Sequence, residues 1–193
     1  MSKQPKDDIE RKPIKNFREL VKKYEQFKAK VAFKYKKNGE IKEITYSKFA
    51  EDIKSMSEAI IASNAKRIAV IGDNRYEWCV TYLGVECAGK VIIPLDKALT
   101  NVEIKKLLKR SEADVVVYEE KYTEAIESAI KEGLNIKYKI CMEGKKEENV
   151  VQFKDFIESG RKILKSNKKK YNKVNIDNNE MYIMLFTSGT TSE

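Results

Sequence analysis

The first part of the chain alternates between helical and strand-like spacing of its apolar positions. Residues 14–27 repeat an apolar side chain at about every third or fourth position, which predicts an amphipathic helix. Residues 31–35 have the pattern of a strand, residues 37–39 (Lys-Asn-Gly) that of a hairpin turn, and residues 41–44 that of the returning strand. The chain is therefore expected to begin with a flexible polar tail over residues 1–13, followed by a helix and a β-hairpin.

A second helix is predicted directly after the hairpin. Thr45 and Ser47 are the two candidates for its amino-terminal cap, because a hydroxyl oxygen there can accept a hydrogen bond from a backbone N–H of the first turn. Its predicted buried stripe consists of Phe49, Ile53, Met56 and Ile60.

From residue 67 onwards, short apolar runs alternate with helical patterns. Each run is rich in Val and Ile and too short for a helix, so it predicts a buried strand. The predicted strands are residues 68–71, 91–93, 115–118 and 138–141, and the predicted helices are residues 74–88, a segment opened by the capping box of Thr100 and Glu103, and residues 122–131. This alternation indicates an α/β fold, a doubly wound and largely parallel sheet flanked by helices, with right-handed crossovers.

The last part of the chain is organised by changes in polarity. Residues 151–164 predict one more helix, and residues 165–180 form a polar linker that we expect to be too charged to pack. Residues 181–186 predict an apolar strand that leads into Thr-Ser-Gly-Thr-Thr. The predicted units are thus the tail over residues 1–13, an α/β subdomain over residues 14–164, the linker over residues 165–180, and a final segment over residues 181–193.

The net charge of the chain excludes few classes of function. The chain has 39 basic and 30 acidic residues, a net charge of +9, and 41% hydrophobic residues, which suffice for a folded core. Because the two signs are mixed along the chain, a solvated lysine-rich surface explains the excess better than a nucleic-acid-binding face, and we expect no nucleic-acid partner. Residues 165–173 are a local exception, either as a solvated linker or through weak contact with anionic headgroups at a membrane surface.

Missing residue types exclude several catalytic and metal-binding arrangements. The sequence contains no histidine, so neither a Ser-His-Asp triad, nor a Cys-His pair, nor a histidine metal site can form within it. Cys79, Cys87 and Cys141 show no CxxC or metal-ligand spacing and are expected to behave as small buried hydrophobic side chains. The absence of a signal peptide and of a membrane-spanning apolar run favours a cytoplasmic protein, with peripheral membrane contact as its only membrane role.

Residues 187–191 are the candidate chemical site. Gly189 can adopt backbone angles closed to other residues, which lets neighbouring N–H groups converge on one point. Thr187, Ser188, Thr190 and Thr191 surround it with hydroxyl donors, and such a concavity suits the oxygens of a phosphate group. The loop lacks the GxxxxGK[ST] pattern of a Walker loop, and a polar turn leaving a strand is the alternative to phosphate binding.

Four segments, taken in order, resemble the AMP-forming acyl-CoA synthetase superfamily, which includes fatty acyl-CoA ligases, luciferases and the adenylation domains of peptide synthetases. Residues 182–191 (YIMLFTSGTT) resemble the phosphate loop of that family, and residues 73–78 (DNRYEW) resemble its N-R-x-E-W helix start. Residues 83–95 (LGVECAGKVIIPL) resemble its A-G-x-V-x-x-P-L segment, and residues 44–46 before a helix resemble its opening.

Structural roles are also expected for the residues of the segment 73–78. Asn74 is expected to cap the helix that follows, and Trp78 to pack in the core. Arg75 and Glu77 can form an ion pair, which at a surface would contribute little to stability.

The resemblance implies an enzyme that activates a carboxylic acid with ATP and Mg²⁺ as an acyl adenylate and then transfers the acyl group to coenzyme A. It assigns no residue of this chain to catalysis or to metal binding. Ser192 stands where the family usually has glycine, and the chain ends at Glu193, before the usual lysine of the loop. We therefore expect a truncated fragment that is inactive on its own. Its expected partners are the missing downstream domains of the same protein, which hold the adenine, ribose, magnesium and catalytic lysine sites. The residues that the resemblance assigns to the β- and γ-phosphates are Thr187, Ser188, Gly189, Thr190 and Thr191.

Two alternatives stay open at the level of sequence. The rival to an enzyme is a non-catalytic α/β module that acts as a scaffold or as a basic binding surface. Within the family, a long-chain fatty acid is the first choice of substrate, because the N-R-x-E-W and P-L segments are typical of such ligases. Short-chain, aryl and amino acids are the alternatives.

Overall fold

A computed structural model describes residues 13–37 and 39–187 of the 193-residue chain. Most of the predicted tail, residues 1–12, therefore lies outside the described residues. The predicted first helix is present as α1 (Phe17–Gln26). It begins later than its apolar pattern because Asn16 is extended and its side chain accepts a hydrogen bond from the backbone N–H of Glu19.

The predicted hairpin is confirmed as the antiparallel strands β1 (Val31–Lys37) and β2 (Glu40–Thr45). Thr45 is the residue that caps the next helix, α2 (Tyr46–Ala62), since its hydroxyl accepts a hydrogen bond from the backbone N–H of Lys48. The predicted stripe of α2 is buried as expected, at Phe49, Ile53, Met56 and Ile60.

A five-stranded parallel sheet forms the centre of the fold. The remaining elements are β3 (Arg67–Ile71), α3 (Tyr76–Cys87), β4 (Val91–Pro94), α4 (Asn101–Ser111), β5 (Val115–Tyr118), a 3-10 turn (Glu120–Tyr122), α5 (Thr123–Lys131), β6 (Tyr138–Cys141), β7 (Val150–Gln152) and α6 (Phe153–Leu164). The strand order is β4-β3-β5-β6-β7, with every neighbouring pair parallel. Helices lie on both faces, so the predicted α/β, doubly wound fold is confirmed.

Each face of the sheet carries its own hydrophobic core, because the strands of a parallel sheet are buried on both sides. On the first face, α1, α2, α3 and α6 pack against strand residues such as Ile68 and Val70. On the second face, α4 and α5 pack against Ala69 and Ile71 of the same strand. This two-sided burial is why the strands are continuous apolar runs in the sequence.

Two element boundaries differ from the predictions. Asn74 does not cap α3, since the cap position is Arg75, which makes no capping hydrogen bond, and the helix begins at Tyr76. Residues 151–164 are not a single helix either. Val150 and Val151 extend beside β6 as part of β7, because β-branched residues suit a strand, and α6 begins at Phe153.

The linker over residues 165–180 packs on the helices of the first face, contrary to the expectation that it is too charged to pack. Tyr171 is only 6% exposed and belongs to the core of that face. The backbone N–H groups of Lys170 and Tyr171 donate to the carboxylate of Glu58 on α2. The lysines of the linker stay exposed, and the ring of Tyr171, the side chain of Val174 and parts of the backbone contact the fold.

Candidate functional site

The segment that leads to the predicted phosphate loop lies along the outer edge of β4. The backbone N–H of Ile92 donates to the carbonyl of Tyr182 (2.8 Å), and the N–H of Met184 donates to the carbonyl of Ile92 (2.9 Å). These two hydrogen bonds form one parallel bridge between Ile92 and Ile183. The strand predicted over residues 181–186 is therefore reduced to a single bridge.

Side chains along this segment alternate in burial as they do in a strand. Met184 and Phe186 pack against the core of the second face. Met181, Ile183 and Leu185 are 51%, 37% and 67% exposed. An apolar row next to the predicted loop is thus uncovered in the described part of the chain.

The direction of the segment places the start of the loop relative to the sheet. Because the bridge is parallel, the chain after Ile183 runs toward the carboxyl ends of the strands, where open parallel sheets bind their ligands. Thr187 follows four residues later, about 13 Å of extended chain, and it is exposed. Among the predicted phosphate-binding residues Thr187 has a described position, and those outside the described residues are Ser188, Gly189, Thr190 and Thr191.

A cluster of charges centred on Arg75 lies at the carboxyl ends of β3, β5 and β6. Arg75 donates hydrogen bonds to Glu77 (2.7 Å), Glu119 (3.3 Å) and Glu143 (2.9 Å). Burial opposes the charge of the guanidinium, but the hydrogen bonds and negative charge of these carboxylates raise the pKa of Arg75. The predicted pair of Arg75 and Glu77 is confirmed. It is part of a network at 24% and 23% exposure rather than an isolated surface pair.

A second cluster of charges at the same edge is more exposed. Asp73 accepts hydrogen bonds from Lys121 (2.8 Å) and Lys97 (2.9 Å). These bonds, that of Lys121 first, lower the pKa of Asp73 to about 2. Lys121 also pairs with Glu119 (3.0 Å), so this cluster is joined to that of Arg75 and its two lysines are balanced by two carboxylates.

Residues 13–37 and 39–187 offer neither a metal-binding cluster nor a membrane-spanning helix. That part of the chain contains no group of three or more acidic, cysteine or histidine side chains that could hold a metal ion. Its helices also include none that is both long and apolar enough to cross a bilayer.

The three cysteines differ in burial. Cys87 and Cys141 are buried and Cys79 is half-buried, and burial raises the pKa of Cys87 to about 12. The buried thiols therefore behave as small hydrophobic groups, as predicted.

A cleft of about 620 Å³ opens between β1 and the start of α3, away from the phosphate segment. Its lining includes the rings of Phe33, Tyr35 and Tyr76, and none of residues 181–187. Lys37 at its rim pairs with Glu143, so its charge is already neutralised within the protein. Arg75, Glu77 and Glu143 also line the cleft, so it reaches the carboxyl edge of the sheet. We place the candidate site at the part of that edge that residues 181–187 approach, beside β4.

Comparison with known proteins establishes the family. Residues 20–193 match the family model described as AMP-binding enzyme. The chain belongs to the AMP-binding enzyme family. The matched residues extend from α1 through the hydroxyl-rich loop, and the resemblance to AMP-forming synthetases seen in the sequence is thereby confirmed.

A relative of this chain is a CoA ligase from Gibberella moniliformis (strain M3125 / FGSC 7600). It is 25% identical over a match that covers 76% of this chain and 24% of the relative. The chain thus spans about a quarter of the length of that relative.

Solved structures of similar proteins agree with the α/β fold. Coronafacic acid ligase from Pectobacterium brasiliense superposes with a TM-score of 0.70 at 19% identity, covering 89% of this chain and 33% of that one. A fatty acyl CoA synthetase from Mycobacterium tuberculosis superposes with a TM-score of 0.62 at 16% identity, covering 90% and 33%. At these identities the likeness concerns the fold alone.

Glu119, Lys121 and Glu143 were not among the predicted site residues, although all three lie at the carboxyl edge of the sheet. A signal for Glu119 and Glu143 is present in the sequence. Asp73, Glu119 and Glu143 each follow within two residues of a parallel strand end. Because the carboxyl ends of parallel strands share one edge, charged residues at these positions meet.

Proposed function

We propose that this AMP-binding enzyme chain is part of a ligase that joins a carboxylic acid to coenzyme A through an acyl adenylate. The observation that carries the proposal is the parallel bridge between Ile183 and Ile92. It directs the chain toward the carboxyl edge of the sheet, with the hydroxyl-rich residues next in sequence. The family match and the CoA ligase relative support the same class of reaction.

The proposed reaction has two steps. A carboxylate oxygen of the acid attacks the α-phosphorus of ATP, and the bond from that phosphorus to the bridging oxygen of the β-phosphate breaks. The acyl adenylate forms, and pyrophosphate leaves with the electron pair. The sulfur of coenzyme A then attacks the acyl carbon, its proton passes to solvent, and AMP leaves as the thioester forms. Neither step requires a general base from the described residues.

The hydroxyl-rich loop is assigned to the β- and γ-phosphates of ATP. The physical obstacle in the first step is that two anions must meet. Backbone N–H and hydroxyl donors reduce that repulsion and stabilise the charge that builds on the leaving pyrophosphate. Mg²⁺ would enter with ATP, and because the described residues form no metal-binding cluster, none of them is assigned to it. The loop residues in this role are Thr187, Ser188, Gly189, Thr190 and Thr191.

For the acid we propose a fatty acid. The N-R-x-E-W-like residues 74–78 and the pair Pro94-Leu95 support this choice. A coronafacic acid ligase has the same fold, so short-chain, aryl and amino acids belong in the test as competing substrates. Weak contact between the exposed lysines of residues 165–173 and anionic headgroups would suit such a substrate.

ATP–pyrophosphate exchange by the full-length protein, measured across a panel of long-chain, short-chain, aryl and amino acids, tests both levels of the proposal. We expect acid-dependent exchange that is fastest with long-chain fatty acids. Exchange with none of the acids would refute the reaction, and exchange confined to another class of acid would refute the fatty acid.

Loop variants test the assignment of residues. Thr190→Ala should slow the exchange about 100-fold, because it removes a donor to the charge that develops on the phosphates. Ser128→Ala removes a hydroxyl near the carboxyl end of α5, which leads to the amino end of β6 and thus to the opposite edge of the sheet. It is the matched control and should leave exchange unchanged. Equal rates for the two variants would contradict the assigned role of the loop.

A further inference from the structure

A single helical turn over residues 170–174 is held in place within the linker. The backbone N–H groups of Lys173 and Val174 both donate to the carbonyl of Lys170, at 2.7 and 3.2 Å. The turn lies in a lysine-rich stretch that sequence patterns assign to solvent. Its order has to come from residues elsewhere in the chain.

Glu58 on α2 holds the amino end of this turn. Its side chain is 1% exposed, and its two carboxylate oxygens accept hydrogen bonds from the backbone N–H of Lys170 (2.7 Å) and of Tyr171 (2.8 Å). A buried carboxylate is costly unless its oxygens are bonded, and bonds from free N–H groups at the start of a helical turn are of the strong, charge-assisted kind. The linker turn and Glu58 therefore depend on each other.

Arg18 on α1 holds the carboxyl end of the turn. Its Nη1 donates to the carbonyl of Val174 (2.6 Å), and its Nε donates to the carbonyl of Cys87 (2.8 Å), the last residue of α3. Its guanidinium lies over the ring of Tyr171, 4.7 Å from the centroid. One side chain thus joins α1, α3 and the linker turn.

Contacts continue from the turn to the bridge on β4. Gly89 has φ +65, and a Cβ there would lie 3.2 Å from Cγ1 of Val174, so the chain passes close to the corner between α3 and β4. The backbone N–H of Asp177 then donates to the hydroxyl of Tyr182 (2.9 Å), whose carbonyl accepts from Ile92. The chain between the linker turn and residues 181–187 is therefore short and contacts the fold at both ends.

We propose that Glu58 and Arg18 are positioning residues of the ATP site, because they fix the linker turn and so set where residues 181–187 deliver the phosphate loop. The ATP readout of this inference rests on the proposed function. One bridge pairs residues 181–187 with the sheet. The hydrogen bonds of Glu58 and Arg18 to the linker turn fix the chain just before this segment, which further strand pairing would otherwise have to do. Neither Glu58 nor Arg18 has to touch ATP for this role.

Glu58→Gln in the full-length protein tests the inference. Glutamine keeps the shape of the side chain but loses its charge and presents an NH₂ donor to a backbone N–H. Asp114→Asn is the matched control, because Asp114 also accepts bonds from two consecutive backbone N–H groups, those of Lys66 (3.0 Å) and Arg67 (3.2 Å). That site lies at the amino end of β3, on the opposite edge of the sheet from the proposed ATP site.

Both variants should lower the unfolding temperature, but only E58Q should change the ATP step. If about a tenth of the molecules keep the loop in its competent position, KM for ATP in pyrophosphate exchange rises about tenfold in E58Q. D114N should keep the wild-type KM at a temperature where all variants are folded. Arg18→Lys keeps the charge but cannot bridge two carbonyls, and should give an intermediate rise. A wild-type KM for ATP in E58Q would overturn the inference.

A second readout separates this inference from the proposed function. If the wild-type protein exchanges pyrophosphate with no acid, the proposed function fails, and amide hydrogen exchange then decides on the positioning role alone. Faster exchange over residues 181–187 in E58Q than in D114N supports the positioning role. Equal exchange in the two variants overturns it.

Discussion

Helix α6 packs against α2 across Gly160, and this contact leaves no room for a larger residue. A Cβ at Gly160 would lie 1.9 Å from the carbonyl oxygen of Ser55 and 2.9 Å from the backbone nitrogen of Ala59. Both atoms belong to the backbone of α2, so no rotation of a side chain relieves the overlap. Gly160→Ala must therefore push the two helices apart.

Two opposing effects set the size of the loss. In a helix, alanine is favoured over glycine by about 1 kcal/mol. Overpacking costs about 1–3 kcal/mol and occasionally more, and a contact of 1.9 Å has to widen to about 3.3 Å for a normal C···O approach. A shift of that size loosens Phe156 and Ile157, which are 6% and 4% exposed. We take the upper part of the range and expect a net loss of about 2 kcal/mol.

Thermal and urea unfolding of the 193-residue chain, followed by the fluorescence of its single tryptophan, Trp78, measures this loss. A loss of about 2 kcal/mol corresponds to an unfolding temperature lower by about 4–8 °C in a chain of this size. Gly84→Ala is the comparison, since its Cβ would meet Cγ and Cβ of Met56, at 2.4 and 2.7 Å. Rotation of the Met56 side chain moves Cγ but not Cβ, so the helices still have to separate, but from 2.7 Å rather than from 1.9 Å. We expect it to cost less than Gly160→Ala. An unchanged or raised unfolding temperature for Gly160→Ala would refute the reasoning.

Three further predictions concern single side chains. Thr100→Ala breaks the capping box with Glu103 and should lower the free energy of unfolding by about 1 kcal/mol in a urea titration, while Thr100→Ser should retain most of it. Burial raises the pKa of Glu86 from 4.5 in the unfolded chain to about 7 in the folded chain. The folded protein therefore gains free energy of unfolding from the bound proton below pH 4.5, and this gain is lost as the pH rises to about 7. Glu86→Gln should flatten that part of the stability–pH curve, and an unchanged slope would contradict the shift. A thiol reagent should label half-buried Cys79 before Cys87, because burial raises the pKa of Cys87 to about 12. Peptide mass mapping measures the order of labelling, and the reverse order would contradict the described burial.

The sheet and its flanking helices could be predicted from the sequence because their signals are local. A strand buried on both faces has to be a short apolar run, as at residues 68–71 and 115–118. The helix caps at Thr45 and Thr100 depend on side chains within three residues of the cap, which a reader of the sequence can see. The order of such elements then restricts the fold to few alternatives.

Two of the failed predictions, on β7 and on the linker, depend on residues that are distant in the sequence. Val150 and Val151 precede a helical pattern without a break, and only pairing with β6 makes them a strand. Tyr171 lies among lysines, and its burial depends on Glu58 and Arg18, which are more than 100 residues away. Composition reports the average polarity of a stretch, so it cannot reveal that one ring and two backbone N–H groups in it are bonded to the core.

The candidate site combines both kinds of information. The hydroxyl-rich motif and the apolar segment before it are visible in the sequence, but the parallel bridge at Ile183 decides which edge of the sheet the loop approaches. That bridge consists of two backbone hydrogen bonds, whereas the linker turn has a charge-assisted bond at each end. Hydrogen bonds to charged groups are individually stronger than neutral ones. The position of the proposed phosphate loop therefore depends on α1 and α2 at least as much as on the sheet edge beside it, and substitutions in those two helices are where its geometry can be changed without touching the loop.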